Sequence, residues 1–308
     1  MSRNVKFFLM PLLFSFSIAW GTNTFQNNLQ NFFYAQISLP METVDPAKLT
    51  DRVNRLKIDL NAKSAFLIRI SPSGREKVFL KKNIDQVLGI ASLTKLMTAL
   101  VILENPENYA PAKIITVSKT AAKQDKVPNY GNLKTGEKLS VKKLLDLMLI
   151  YSSNHAAFAL AEYLGLAKFT EQMNQKTKAL NLADTAFLNP TGLDPEGLHF
   201  EEDSKNFFNR SSAKDILTQV KYILKNHPSI FEISAGDGPY STANGIKEVS
   251  LPKNTIIIGG KTGYTDETGG SMLLLLSDEK GAVFVGLILG APSAEERVQE
   301  MQKLTDLI

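Results

Sequence analysis

The stretch Ala91-Ser92-Leu93-Thr94-Lys95-Leu96-Met97-Thr98-Ala99-Leu100-Val101-Ile102-Leu103-Glu104 decides the fold. It predicts a helix that is apolar on nearly every face, which places it in the protein's centre. Ser92 and Lys95 lie three residues apart at its start, within contact range on one face. Apolar surroundings disfavour a charged amine, and a neutral amine beside a hydroxyl is a base beside a nucleophile. The free N–H groups at the helix start favour negative charge on a reacting oxygen.

The spacing Ser-x-x-Lys identifies nothing by itself, because it recurs four times in the chain, at Ser140/Lys143, Ser211/Lys214, Ser250/Lys253 and Ser277/Lys280. Ser140 and Ser211 precede helix-like runs and are predicted to be N-caps. The third copy contains Pro252, and the fourth lies in a predicted turn between apolar strands. Only the pair at 92 and 95 opens a buried helix.

Composition is that of an ordinary globular chain, with 308 residues, 44% hydrophobic and 21% charged. The net charge of +4 gives no indication of nucleic-acid binding and slightly favours an acidic cell-surface polymer as a partner. The absence of cysteine excludes disulfides, a thiol nucleophile and cysteine–zinc sites. A three-histidine metal site would need all of His155, His199 and His227, so we expect neither a metal nor another cofactor.

Residues 1–21 predict export, because Arg3 and Lys6 precede an apolar run too short for a comfortable membrane span. Ala19-Trp20-Gly21 is a tolerable cleavage site, which favours a cleaved signal peptide over a retained N-terminal anchor. In either case, the rest of the chain is expected outside the cytoplasm, in the periplasm or cell-wall space. The Asn- and Gln-rich stretch 22–50 predicts a polar tether, followed by a folded domain over 51–308.

The order of predicted elements within that domain is strands, helices, strands and helix. Strands at 64–70 and 77–80 flank a hairpin turn, residues 113–225 are mostly helical, and strands return at 255–258, 271–276 and 282–289. An amphipathic helix at 293–307 is expected to pack on the core. The fold class is therefore α/β of the α+β type: an antiparallel sheet built from both chain ends, with a helical subdomain inserted over about 95–235.

Two further motifs carry chemistry. Ser152 and Asn154 stand between two helical patterns, where a hydroxyl can pass a proton and a carboxamide can hold a peptide group; a helix cap at Ser152 or Ser153 is the structural alternative. Lys261-Thr262-Gly263 follows an apolar strand and offers a cation, a hydroxyl and room for a substrate backbone. A second Lys-Thr-Gly at 134–136 is interpreted as a polar loop, because Glu137 and a helix start follow it.

Taken in order, Ser92-x-x-Lys95, Ser152-x-Asn154 and Lys261-Thr262-Gly263 resemble the motif set of penicillin-binding proteins and class A β-lactamases. The chain is similar, over roughly 60–290, to the low-molecular-mass penicillin-binding proteins that are serine-type D-alanyl-D-alanine carboxypeptidases (peptidase family S11). Other matching segments are Gly136-Glu137, Ala156-Ala157, Leu160-Ala161-Glu162, Phe187-x-Asn189-Pro190-Thr191-Gly192-Leu193-Asp194, Ser212-Ala213-Lys214-Asp215 and Tyr264-Thr265. The resemblance implies a β-lactamase/penicillin-binding-protein-like fold.

The resemblance also implies a reaction on peptidoglycan stem peptides that end in D-Ala-D-Ala. Ser92 would attack the carbonyl, Lys95 would take its proton, and Ser152 would relay a proton to the departing D-alanine. β-Lactams would acylate the same serine. The backbone N–H groups of Ser92 and Tyr264 would hold the oxyanion. The implied substrate-binding residues are Asn154, Lys261, Thr262, Gly263, Tyr264 and Thr265.

Two rival functions share this machinery. A β-lactamase of class A needs a glutamate in a Glu-x-x-Leu-Asn pattern, and none occurs between Asn154 and Lys261. A non-catalytic β-lactam-binding scaffold should have lost a motif residue, and all are present. Endopeptidase or transpeptidase action stays open, because only the acceptor of the acyl group differs. Ser153 and His155 depart from the family's usual Gly and Asp, and His155 is a candidate for altering pH dependence.

Overall fold

The computed structural model describes residues 58–128, 130–194, 208–235 and 246–308, and Asp59–Ile308 forms one compact unit. The predicted signal or anchor at 1–21 and the tether at 22–50 lie outside the described residues. The strands are β1 Ser64–Ile70, β2 Glu76–Lys82, β3 Val87–Gly89, β4 Ile114–Thr116, β5 Lys138–Ser140, β6 Arg210–Ser212, β7 Thr255–Thr265, β8 Gly269–Asp278 and β9 Val283–Ala291. The α-helices are α1 Thr94–Leu103, α2 Val141–Ile150, α3 Asn154–Leu164, α4 Leu166–Ala179, α5 Ala213–Asn226, α6 Ser229–Ala235 and α7 Glu296–Thr305.

The main sheet has five antiparallel strands in the order β2-β1-β9-β8-β7, so it is built from both ends of the described chain. Strand β1 pairs with β9 from Ser64 opposite Leu289 to Ile70 opposite Val283. Strands β8 and β9 are apolar on both faces because both faces are covered. Helix α7 packs so closely on one face that a Cβ at Gly286 would lie 3.0 Å from Met301 Sδ. The predicted sheet topology and the packing role of the last helix are confirmed.

Helix α1 lies at the centre of the fold, as its composition predicts. Residues 94–102 are all buried, and a short 3₁₀ turn, Ala91–Leu93, leads into the helix and carries Ser92. The side chains of Leu96, Met97 and Leu100 join one core with residues of α2 to α6 and with the facing side of the sheet. The helices inserted between β2 and β7 therefore surround α1, which fixes the position of its N-terminus.

Serine N-caps start three of these helices. Ser140 accepts a hydrogen bond from the N–H of Lys143, as predicted, and Ser153 accepts one from the N–H of Ala156. The predicted cap at Ser211 is wrong, because Ser212 accepts from the N–H of Asp215 at the start of α5. The Ser211 hydroxyl instead pairs with the Thr185 hydroxyl at 2.7 Å. Local sequence does not distinguish two adjacent serines as caps.

The described residues of 113–140 form no α-helix and a single 3₁₀ turn, Ala121–Lys123, which corrects the prediction that 113–225 is mostly helical. The segment holds the short hairpin β4–β5, in which Ile115 lies opposite Leu139. Its loop contains Gly136 at φ +82°, which confirms that the Lys-Thr-Gly copy at 134–136 is a turn. Strand β7 is longer than predicted and includes Lys261, Thr262 and Gly263, so the Lys-Thr-Gly copy at 261–263 lies within a strand rather than after one.

Candidate active site

The Lys95 amine lies fully buried at the start of α1, within hydrogen-bond distance of three oxygen atoms. Its Nζ is 2.7 Å from Ser92 Oγ, 2.8 Å from Asn154 Oδ1 and 2.6 Å from the Thr191 carbonyl oxygen. The amide and carbonyl oxygens can only accept hydrogen bonds. A neutral amine therefore donates its two N–H groups to them and keeps its lone pair for the Ser92 hydroxyl. The geometry arranges the hydroxyl as the donor and Lys95 as the proton acceptor.

Burial is the main cause of a low pKa at Lys95. Desolvation lowers the pKa well below the usual value of 10.5, and the nearby charge of Lys261 lowers it further. Both effects destabilise the ammonium form relative to the neutral amine. Burial thus favours the neutral form of Lys95, which is the form that a general base needs.

Ser152 and Lys261 form a second pair. Ser152 lies between α2 and α3 at φ +60°, an unusual conformation for serine. This conformation presents its hydroxyl to Lys261, whose Nζ donates to Ser152 Oγ at 2.8 Å and to the Thr262 carbonyl at 2.8 Å. Burial, followed by the charge of Arg297, lowers the pKa of Lys261 to about 7. The side chain is therefore a cation that can lose its proton near neutral pH.

Strand β7 runs directly past the nucleophile. A Cβ at Gly263 would lie 2.8 Å from the Ser92 nitrogen and 3.0 Å from Ala91 Cβ, so only glycine allows this approach. Ala91 itself adopts φ +43°, which turns the chain before Ser92. The close approach places the main chain around Gly263 and Tyr264 next to the Ser92 N–H. This is the neighbourhood in which two backbone donors can share one oxyanion.

The remaining predicted residues, Thr262, Tyr264 and Thr265, lie along the same strand. Thr262 is buried beside Lys261. The Tyr264 hydroxyl donates to Asp266 at 2.9 Å, which raises the pKa of the tyrosine. The Thr265 hydroxyl lies 2.8 Å from the Thr268 hydroxyl in the β7–β8 turn. The Thr265 hydroxyl must therefore give up its hydrogen bond to Thr268 before it can bind a substrate carboxylate.

Asn189 and Asn209 build the support for the Thr191 carbonyl, and the sequence assigned no role to any of the three. Asn189 Oδ1 accepts hydrogen bonds from Thr191 N–H at 3.0 Å, Thr191 hydroxyl at 2.9 Å and Gly192 N–H at 2.7 Å. The sequence gave one indication that Asn189 and Thr191 matter: both lie in a segment that resembles the family. The spacing gave no indication that a backbone carbonyl would contact Lys95.

Asn209 connects this turn to the helix that carries Lys95. Its amide donates to Thr94 Oγ1 at 2.9 Å and to the Asn189 carbonyl at 2.8 Å. Its Oδ1 accepts from the N–H groups of Leu188 at 2.7 Å and Asn189 at 3.2 Å. Buried amides that use their full hydrogen-bonding capacity fix geometry. Asn209 therefore fixes the position of Lys95 relative to the Thr191 carbonyl, which is one of its hydrogen-bond acceptors.

Arg297 was also missed, because it lies on α7, far from every motif in the sequence. Its Nη1 donates to the Gly263 carbonyl at 2.8 Å. Its charge is the second cause of the low pKa of Lys261. The prediction of an amphipathic helix at 293–307 located the helix and gave no reason to expect a residue at the site.

His155 has a structural position. Its Nδ1 accepts from the Leu133 N–H at 2.8 Å, and its Nε2 lies 2.8 Å from the Gln124 carbonyl, to which it donates in the matching tautomer. The ring is 1% exposed and connects α3 to the loop before β5. On the same helix, Asn154 Nδ2 donates to the Asp125 carbonyl in that loop. We therefore interpret His155 as a residue that fixes this loop.

The antiparallel sheet, the inserted helices and the serine–lysine pair define the penicillin-binding class of proteins. Penicillin-binding protein D2 from Listeria monocytogenes, in its ampicillin-bound form, superposes with a TM-score of 0.66 at 27% identity, covering 82% of this chain and 98% of that one. The D-alanyl-D-alanine carboxypeptidase family of peptidase S11 matches residues 50–293, and the chain belongs to that family.

Two curated relatives differ in the activity their names state. The D-alanyl-D-alanine carboxypeptidase DacF of Bacillus subtilis is 33% identical over 80% of this chain and 61% of its own length. A D-alanyl-D-alanine endopeptidase of Haemophilus influenzae is 30% identical over 66% of this chain and 68% of its own length. The chain spans about 55–61% of the first three curated relatives it matches. In the part of the chain that the structure describes, no helix is both long and apolar enough to cross a bilayer.

Proposed function

We propose that the protein is a serine D,D-carboxypeptidase that removes the terminal D-alanine from peptidoglycan stem peptides. One observation supports this above all: Lys95 Nζ lies within hydrogen-bond distance of two obligate acceptors and of Ser92 Oγ, so that in its neutral form the amine keeps its lone pair for Ser92. The Ser92 oxygen attacks the carbonyl of the terminal D-Ala-D-Ala bond while Lys95 takes the hydroxyl proton. The negative charge passes to the carbonyl oxygen, held by the N–H groups of Ser92 and Tyr264.

Collapse of the tetrahedral intermediate breaks the peptide bond. The departing amine takes a proton from the Ser152 hydroxyl, which accepts a hydrogen bond from Lys261, and the proton that Lys95 removed from Ser92 replaces it. Asn154 holds the substrate's peptide group, while Lys261 and Thr262 attract its terminal carboxylate. Water then attacks the ester on Ser92, which releases the shortened peptide and restores the serine proton. The enzyme requires no metal or cofactor for these steps.

Binding of β-lactams belongs to the same proposal. Two solved neighbours contain ampicillin and cefotaxime, and the chain covers 98% of each. A β-lactam carbonyl presented to Ser92 gives an acyl-enzyme that lacks a leaving group able to diffuse away. The β-lactamase alternative needs a carboxylate that activates water against this ester, which the motifs of the chain do not supply.

Intact mass after mixing with benzylpenicillin tests the acylating serine. We expect a long-lived one-to-one adduct on the native protein and on Ser73→Ala, a substitution in the exposed β1–β2 turn, and none on Ser92→Ala. Release of D-alanine from a D-Ala-D-Ala peptide then tests the carboxypeptidase. Unmodified protein with destroyed penicillin would identify a β-lactamase, and unmodified protein with intact penicillin would favour the scaffold. Cleavage of a cross-linked dimer without D-alanine release would identify an endopeptidase.

We further propose that residues 1–21 direct export, that 22–50 form a tether and that 51–308 form the catalytic domain. The charged start and short apolar run support the first assignment. Fractionation of cells that express the full chain, with N-terminal sequencing, tests it. Recovery outside the cytoplasm with a new N-terminus near residue 22 is expected. Recovery of the full chain in the cytoplasm would refute the assignment.

A further inference from the structure

Positive charge is concentrated in residues 113–143. This stretch contains eight lysines, no arginine and two acidic residues, Asp125 and Glu137. The remaining 277 residues contain 27 basic and 29 acidic side chains, so the chain's positive excess lies entirely in this stretch. All eight lysine side chains are exposed. We call them the lysine surface: Lys113, Lys119, Lys123, Lys126, Lys134, Lys138, Lys142 and Lys143.

The β4–β5 hairpin brings distant parts of this stretch together. Thr116 lies opposite Lys138 in the ladder, and the Val141 N–H donates to the Lys113 carbonyl at 2.9 Å. The Lys142 N–H donates to the Pro111 carbonyl at 3.0 Å. Lys113, Lys138 and Lys142 therefore emerge from one hairpin base although they are up to 29 residues apart.

Local carboxylates do little to neutralise the lysine surface. Among the described residues, one of the eight lysines forms an ion pair: the Lys142 amine lies 3.0 Å from the Asp146 carboxylate. The Glu137 carboxylate accepts from the Lys134 backbone N–H at 3.0 Å and so caps its own turn. Repulsion among like charges at one hairpin opposes folding, which a bound polyanion would relieve.

The lysine surface is continuous with the wall of the active site. The loop that carries its middle lysines is tied to α3 at three points: Asn154 donates to the Asp125 carbonyl, Ser153 donates to the Gly131 carbonyl, and His155 accepts from the Leu133 N–H. A polymer on this surface would lie beside the residues that contact Lys95.

We propose that the lysine surface binds a flexible linear polyanion that carries one phosphate per repeat and no bases. Lysine is a point charge without the planar fork of arginine, so lysines alone recognise charge density rather than a particular carboxylate geometry. A flexible chain with one phosphate per repeat supplies that density to a curved loop. Proteins that bind single-stranded nucleic acid add aromatic platforms for the bases. Here the exposed ring of Tyr130 instead packs edge-on against Tyr151, with 4.8 Å between ring centroids. This arrangement favours a ligand without bases over a nucleic acid.

Binding of inorganic polyphosphate to the full-length protein tests the proposal, measured by calorimetry between 50 and 300 mM NaCl. One triple variant carries Lys113→Gln, Lys138→Gln and Lys142→Gln. A matched variant removes three exposed lysines elsewhere: Lys168→Gln, Lys178→Gln and Lys280→Gln. We expect the first variant to bind at least about tenfold more weakly at 100 mM NaCl, with a salt slope lower by about 2, because each phosphate contact contributes about 0.7 to that slope. The matched variant should retain nearly native binding.

Three outcomes would overturn the proposal: equal losses in both variants, absence of polyphosphate binding by the native protein at 100 mM NaCl, or binding of anionic phospholipid vesicles in preference to polyphosphate. Acylation by a fluorescent penicillin is expected to be unchanged in both variants, which also reports an intact fold. The two proposals fail separately. Loss of acylation from every protein would refute the proposed function while the polyphosphate result stands.

Discussion

Replacement of Asn209 by leucine tests whether the frame around Lys95 matters for catalysis. Asn209 is 2% exposed and makes four hydrogen bonds, to Thr94, to Leu188 and twice to Asn189. Leucine fills a similar volume and makes none of them. A buried polar group left without a partner costs about 1–3 kcal/mol. If two of the four partners find no substitute, the free energy of unfolding falls by about 2–6 kcal/mol.

The catalytic effect follows from position. Without Asn209, the turn that presents the Thr191 carbonyl is no longer tied to the start of α1, so the Lys95 amine loses one fixed acceptor. A displacement of about 1 Å in a catalytic group can cost about a hundredfold in rate. We expect the second-order rate of acylation by a fluorescent penicillin to fall by that order in the folded fraction of Asn209→Leu. Urea denaturation of the same preparation measures the stability and the folded fraction.

Asn174→Leu is the matched control, because Asn174 pins the same segment further from the base. It donates to the Phe187 carbonyl at 2.7 Å and accepts from the Phe187 N–H at 2.9 Å. We expect this variant to lose stability and to acylate at close to the native rate. Equal rate losses in both variants, or native acylation by a destabilised Asn209→Leu, would refute the role of Asn209 as a positioning residue.

Three further predictions concern stability, each measured by urea denaturation. Gly192→Ala should lower the free energy of unfolding by at least about 3 kcal/mol, because at φ +83° its Cβ would lie 1.9 Å from the Ala91 carbonyl oxygen. The control Gly74→Ala, at φ +79° in open space, should lower it by about 1 kcal/mol. Equal losses in the two variants would contradict this prediction. Because Lys261 titrates near pH 7 when folded and near 10.5 when unfolded, the unfolded chain binds the extra proton in between. Native stability should then gain up to about 4 kcal/mol from pH 7 to 10, at about 1.4 kcal/mol per pH unit, and an unaltered gain in Lys261→Met would exclude this source. His155→Leu should cost about 2–4 kcal/mol, because two backbone groups lose their partner, and a negligible cost would refute its structural role.

Strong local patterns predicted most elements of the fold. The apolar run after Ser92 gave the buried helix, and the alternating and apolar segments at both ends gave the sheet. Such patterns work because burial of apolar area depends on composition and periodicity. The prediction that 113–225 is mostly helical is wrong for its first part, because the short strands β4 and β5 have too few residues to show a period of two. The cap assigned to Ser211 is wrong because adjacent serines satisfy the same local pattern.

The sequence by itself determined which residue types the site contains, because Ser92 with Lys95, Ser152 with Asn154, and Lys261 each stand in a local motif. Only the tertiary structure decided how they work together. The lone pair of Lys95 is directed at Ser92 by the Thr191 carbonyl, 96 positions away, and Gly263 meets Arg297 across 34 positions. The position of a backbone carbonyl does not depend on which side chain its residue carries, and burial by distant segments lowers the pKa of both lysines. Neither can be read from spacing, because both arise when distant segments exclude water from one another.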